Sequence, residues 1–207
     1  PLPTTTWDTY PGTDMLTRYL GMKAVDDRRP VFMNLGQGVA WPAYPGRGTR
    51  ANHPEDYYDY AQACDIICFD IYPVASGRVE TDNKLWLVAD GVDRLRSVVE
   101  PGQVVWNYVE CTDISGNGKA TPAQVKAEVW MSLIHGSQGI LYFCHGKSPD
   151  SDFDEQALLK DPVMLAAVGE INWQVRSLAR VLNSPTLTGV VSTSSSNPQA
   201  PVHTMVK

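Results

Sequence analysis

The chain has 207 residues, enough to bury a sizeable core in one domain but short for a complete eight-fold α/β barrel. With 17 basic residues against 23 acidic ones it carries a net charge of -6 and no lysine or arginine cluster stands out, so a nucleic-acid partner has little electrostatic support. No apolar stretch approaches the roughly 20 residues that span a bilayer, residues 1–7 do not form a signal peptide, and a processed or truncated amino terminus is expected because no initiator methionine is present.

In chain order, a first helix is expected over residues 14–25, followed by the apolar run Pro30-Val-Phe-Met-Asn-Leu35 and the polar segment Asn34-Leu-Gly-Gln-Gly38. A helix over residues 55–63 follows His53-Pro54 and leads into the run Asp65-Ile-Ile-Cys-Phe-Asp-Ile-Tyr72. Leu85, Val88, Val92, Leu95 and Val99 then step by three and four, the spacing of one helical stripe packed on a sheet. The next apolar run, residues 103–110, ends on Glu110 and opens at once into Cys111-Thr-Asp-Ile-Ser-Gly-Asn-Gly118. Thr121-Pro122-Ala-Gln124 combines an N-cap, a proline at the first helical position and a capping-box glutamine. Behind it Val125, Val129 and Leu133 form the apolar stripe, and His135-Gly136 ends the helix. The run over residues 139–145 follows, then the acidic loop over residues 150–155, which lacks the full ligand spacing of a calcium site and reads as solvated. The last helix is expected over residues 162–182. After Asn183-Ser-Pro185 the composition shifts to Thr, Val, Ser and Pro, and residues 190–196 and 202–206 read as two strands joined by a polar turn.

The first apolar residues of the four strand runs, Val31, Ile66, Val104 and Ile140, lie 35, 38 and 36 positions apart. Such an interval suits a repeated strand-loop-helix-loop unit, and strands alternating with helices imply a parallel sheet. Four units make half a barrel or a small doubly wound sheet. Polar groups at the carboxyl end of every run favour the barrel, and no strand is followed by a glycine-rich phosphate loop. The cysteines, Cys64, Cys68, Cys111 and Cys144, lack the paired spacing of a zinc site and read as buried thiols. Cys111 and Cys144 would end neighbouring strands, which leaves a disulfide between them open.

In an α/β barrel the chemistry sits where strands open into loops at their carboxyl ends. Glu110 occupies such a position and is the candidate catalytic residue. Alternation places it on one face with Trp106 and Tyr108, and places Asp70 and Tyr72 on one face with Cys68. Aromatic rings beside carboxylates and amides suit a sugar, whose C–H face stacks on a ring while its hydroxyls take hydrogen bonds. The candidate binding residues are therefore Asn34, Gln37, Asp70, Tyr72, Trp106, Tyr108 and His145. Asp70 has three open roles: orienting a neighbour, binding a hydroxyl, or satisfying loop amides. Trp106 and Tyr108 equally suit a plain core, and no metal site is indicated.

The blocks Pro30-Val-Phe-Met-Asn-Leu-Gly-Gln-Gly38, Asp65-Ile-Ile-Cys-Phe-Asp-Ile-Tyr-Pro73, Val105-Trp-Asn-Tyr-Val-Glu-Cys-Thr112 and Ala127-Glu-Val-Trp-Met-Ser-Leu-Ile-His-Gly136 resemble bacterial glycoside-hydrolase-like (β/α)8 barrel proteins, akin to the β-galactosidase and cellulase superfamily. The resemblance covers nearly the whole chain. It implies strands five to eight of a TIM barrel over residues 1–183, with the start of a β-rich C-terminal domain over residues 184–207. It also implies that Glu110 ends strand seven as the nucleophile, while the acid/base glutamate of strand four belongs to an Asp-Glu-Pro-Asp segment that this chain lacks. Asp8 and Asp14 follow no apolar strand and do not replace it. The implied activity is retaining hydrolysis of a β-linked oligo- or polysaccharide, with the two carboxyls about 5 Å apart and Tyr72 or Tyr108 steadying Glu110. No cofactor is implied, and the expected partners are a carbohydrate and the N-terminal half of the barrel, with no membrane and no nucleic acid. The compartment is not fixed, with a leaning to extracellular or periplasmic. The rivals are a non-catalytic carbohydrate-binding or scaffold barrel and a small self-contained enzyme using Glu110 with Asp70.

Overall fold

The computed structural model describes residues 12–44, 53–148 and 151–207, so Asp8 and the beginning of the acidic loop lie outside the described residues. Four strands form one parallel sheet in sequential order: β1 (Phe32–Asn34), β2 (Ile66–Asp70), β3 (Val104–Glu110) and β4 (Gly139–Phe143). Helices α1 (Gly12–Val25), α2 (Asp56–Ala61), α3 (Trp86–Val98), α4 (Pro122–Ile134) and α5 (Pro162–Ser177) each pack against the next along the chain. A 3-10 turn, Gln37–Val39, follows β1. The chain is thus mixed α/β, with its parallel sheet alternating with helices as the spacing of the runs required.

The core lies between sheet and helices. Ile67 and Phe69 of β2 and Val105 of β3 pack with Val88, Val92 and Leu95 of α3, so the stripe of α3 faces the sheet. Gly91 lies under the Phe69 ring, where any Cβ would enter the ring, which lets α3 approach the strand closely. Farther along, Val109 and Cys111 pack with Val125, Val129 and Leu133 of α4 and with Met164, Val168 and Ile171 of α5. The start of α4 carries the full capping box, Gln124 donating its amide to the Thr121 hydroxyl while Thr121 donates its own to Gln124 Oε1 at 2.8 Å. At the other end of the sheet Asp65 ties α1 to the strands: Tyr19 donates to it at 2.9 Å, the Val31 amide at 2.7 Å, and Lys23 pairs with it at 3.3 Å.

Several expected elements differ. Strand β1 is confined to three residues, and α2 stops at Ala61, short of residue 63. The last expected helix breaks at Leu178, which separates α5 from α6 (Ala179–Leu182). The expected hairpin over residues 190–206 forms no strand; Leu187 N to Val206 O and Thr193 Oγ1 to Val202 O, both 2.9 Å, link its two arms, and Ala200 N to Asn197 O at 3.0 Å closes its turn. An unexpected antiparallel pair, β5 (Gly146–Ser148) with β6 (Ser151–Asp154), stands beyond β4. Its Asp154 is buried and receives Lys160 Nζ at 2.5 Å, so that end of the acidic loop is folded in, contrary to the solvated reading. All four cysteines are free thiols.

Candidate functional site

Inward and outward positions alternate along β3 as the sequence requires. Val105, Asn107 and Val109 are fully enclosed, while Trp106 and Tyr108 are half-buried on the opposite face. Trp106 leans over Gly139, its register partner on β4, and its ring centre lies 6.0 Å from that of Phe32 on β1.

On this second face Asp70 is the central carboxylate. Asn34 Nδ2 donates to it at 2.8 Å, joining the ends of β1 and β2. Tyr72 donates its hydroxyl to the same carboxylate, and Tyr108 is the register partner of Asp70 on β3. Burial first, then the Asp70 charge, raises the Tyr72 phenol well above its ordinary range. Burial, Cys68 and Asp70 raise Tyr108 in the same direction. From the end of β2 across the end of β4 a row of rings continues: Tyr72 to Phe143 at 5.3 Å, Phe143 to His145 at 5.5 Å, and His145 stacked on Phe153 at 4.9 Å. The structure thus brings Asn34, Asp70, Tyr72, Tyr108 and His145 to the carboxyl ends of the strands. Trp106 lies two residues deeper than Tyr108 on β3. Gln37 sits in the 3-10 turn after β1, and its Oε1, like His145 Nδ1, is enclosed without a hydrogen-bond partner among the described residues.

Glu110 departs from its expected setting. It is fully enclosed and does not reach solvent, because the loop after β2 folds over it. Its Oε1 accepts the Val74 amide at 2.8 Å and its Oε2 the Ala75 amide at 2.5 Å. Neither Tyr72 nor Tyr108 steadies it; their carboxylate neighbour is Asp70. Its other neighbour is Glu128 of α4, also fully enclosed. Burial raises the Glu110 carboxyl from its ordinary range, and the two loop amides oppose that rise. For Glu128 burial and the Glu110 charge act together, and its carboxyl is raised well above the ordinary range.

Two groups escaped the sequence reasoning. Glu128 falls on the buried stripe Val125, Glu128, Val129, Ser132 and Leu133, a three-and-four spacing that marks it as a core position. Trp41 and Tyr44, their ring centres 5.8 Å apart, share the Arg78 guanidinium at 5.9 and 5.1 Å, which joins the loops after β1 and β2. Aromatic residues and an arginine far apart in sequence give no local signal of such a cluster. Comparison of the chain with protein-family models, curated proteins and solved structures gives no match.

Proposed function

We propose that the chain is the second half of a (β/α)8 glycoside-hydrolase-like barrel, strands five to eight, and contributes the sugar-contacting ends of those strands. The observation that carries this is the meeting of Asn34, Asp70, Tyr72, Tyr108 and the Phe143 and His145 rings at the carboxyl ends of parallel strands. Right-handed crossovers between strands in sequential order put every helix on one side of a sheet, and continued repetition of that unit closes a barrel. On this proposal the open side becomes the barrel interior, and residues 184–207 begin a β-rich domain. The substrate is a β-linked oligo- or polysaccharide, bound by Asn34, Gln37, Asp70 and His145 through its hydroxyls and by Trp106 and Tyr108 through its C–H faces.

Glu110 is the proposed nucleophile of a retaining mechanism, and the acid/base glutamate belongs to the complementary half. Attack on an anomeric carbon needs an ionised carboxylate, and the amides of Val74 and Ala75 favour that form. It also needs access, so the loop carrying those amides has to lift from Glu110 when substrate binds. In the completed barrel Glu110→Gln is expected to abolish turnover of aryl β-glycosides while the fold, read by circular dichroism, is unchanged; undiminished turnover would remove Glu110 from the role. The enclosure of Glu110 specifically favours the second reading, a non-catalytic carbohydrate-binding barrel. Calorimetric sugar binding by the completed barrel without any hydrolysis would decide for it.

A further inference from the structure

Two carboxylates are acceptors only, so neither donates a hydrogen bond to the other while both are ionised. In the wall between β3 and α4, Glu110 and Glu128 stand together with no exposure to solvent. The oxygens of Glu110 are taken by two loop amides, whereas neither oxygen of Glu128 has a hydrogen-bond partner of normal geometry among the described residues. A buried charge in that condition is far costlier than a neutral acid. A proton on Glu128 removes the charge and supplies the missing donor at once, directed at Glu110.

We propose that Glu128 is a positioning residue: it stays a neutral carboxylic acid, shares its one proton with Glu110, and holds the Glu110 carboxylate on the Val74 and Ala75 amides. The surroundings fit. Glu110 is acted on by Glu128 and the two amides, and Glu128 by the side chain and backbone amide of Glu110; among the described residues no lysine, arginine or histidine of α3, α5 or the β2–α3 loop acts on either carboxyl. The Cys111 thiol beside Glu110 is pushed by burial up to about 12, so it stays neutral next to the pair. One turn along α4, Ser132 accepts from Asn107 at 2.9 Å and donates to the Glu128 carbonyl at 2.7 Å, which fixes the helix register against β3.

The positioning role deepens the hydrolase proposal and rests on it for its catalytic consequence, but the shared proton is measurable without hydrolysis. Infrared spectroscopy of the wild-type chain at neutral pH should show the carbonyl band of a protonated carboxylic acid, lost in Glu128→Gln and retained, shifted, in Glu110→Gln. A wild-type spectrum without that band overturns the proposal whether or not the variants fold, and so does a band that persists in Glu128→Gln. In a completed barrel that hydrolyses glycosides, Glu128→Gln should move the pH profile of kcat and leave KM in place. An unmoved profile overturns the positioning role. A barrel that shows the infrared band but no hydrolysis supports the shared proton and removes only the hydrolase reading.

Discussion

A carboxylate shut away from water keeps its charge only if fixed dipoles replace the solvent, and for Glu110 two consecutive amides do so. Glu128, on which the Glu110 backbone amide acts only weakly against burial and the Glu110 charge, is the proposed holder of the proton. Both folded-state values lie above the ordinary glutamate value of 4.5, so the native state holds a proton that the unfolded chain releases. The stability that this adds is fully present below about pH 4.5 and is lost as the pH rises toward the folded value, with a slope of at most about 1.4 kcal/mol per pH unit. Urea denaturation at a series of pH values should therefore show a fall in the wild type that Glu128→Gln flattens; parallel curves would contradict it. Around Asp70 the direction is the same: burial first, and then the Asp70 charge, hold the Tyr72 phenol up, and burial, Cys68 and Asp70 hold Tyr108 up, so Asp70→Asn should let both ionise at lower pH in a spectrophotometric titration. Asp70 and the strand-end position of Glu110 were legible in the sequence. The enclosure of Glu110 was not, because its lid comes from residues 74 and 75, thirty-five positions away in the chain. Glu128 was legible in principle, since a glutamate on an apolar stripe has to find a buried partner.

At the scale of elements, what could be read was what local chemistry dictates. The α4 start follows from Thr121, Pro122 and Gln124, and Thr121→Ala is expected to cost about 1 kcal/mol in chemical denaturation, while an unchanged midpoint would show the cap to be idle. Strand β3 runs over Val104–Glu110 because its residues alternate between two buried settings. Gly139 needed the structure: a β-carbon there would enter the Trp106 indole, so Gly139→Ala should shift the tryptophan emission and cost about 1–3 kcal/mol. An unchanged spectrum and midpoint would mean that the indole moves freely. The expected hairpin over residues 190–206 shows where alternation fails. Val190, Val191 and Val202 are more than half exposed, and a lone two-stranded hairpin without a core to rest on is marginal.

For the molecule as a whole, the sequential strand order leaves β1 and β4 as sheet edges among the described residues. Large apolar side chains stay exposed on the last helices and near the edges, including Phe32, Phe153, Val163 and Trp173, the last 73% exposed. A groove of about 550 Å³ between α4 and α5, lined by Pro122, Lys126, Glu170 and Trp173, lies in the helical layer and has no part in the strand-end site. Unpaired edges and these exposed apolar side chains invite association, so the isolated chain is expected to self-associate in light scattering, and a stable monomer would count against the half-barrel. The most direct test of the proposed chemistry is to treat the completed barrel with a 2-deoxy-2-fluoro β-glycoside that traps the covalent glycosyl-enzyme, and to locate the label by peptide mass spectrometry. The expected result is a single glycosyl group on Glu110; a label on Asp70, or none on a barrel that binds the sugar, would contradict it.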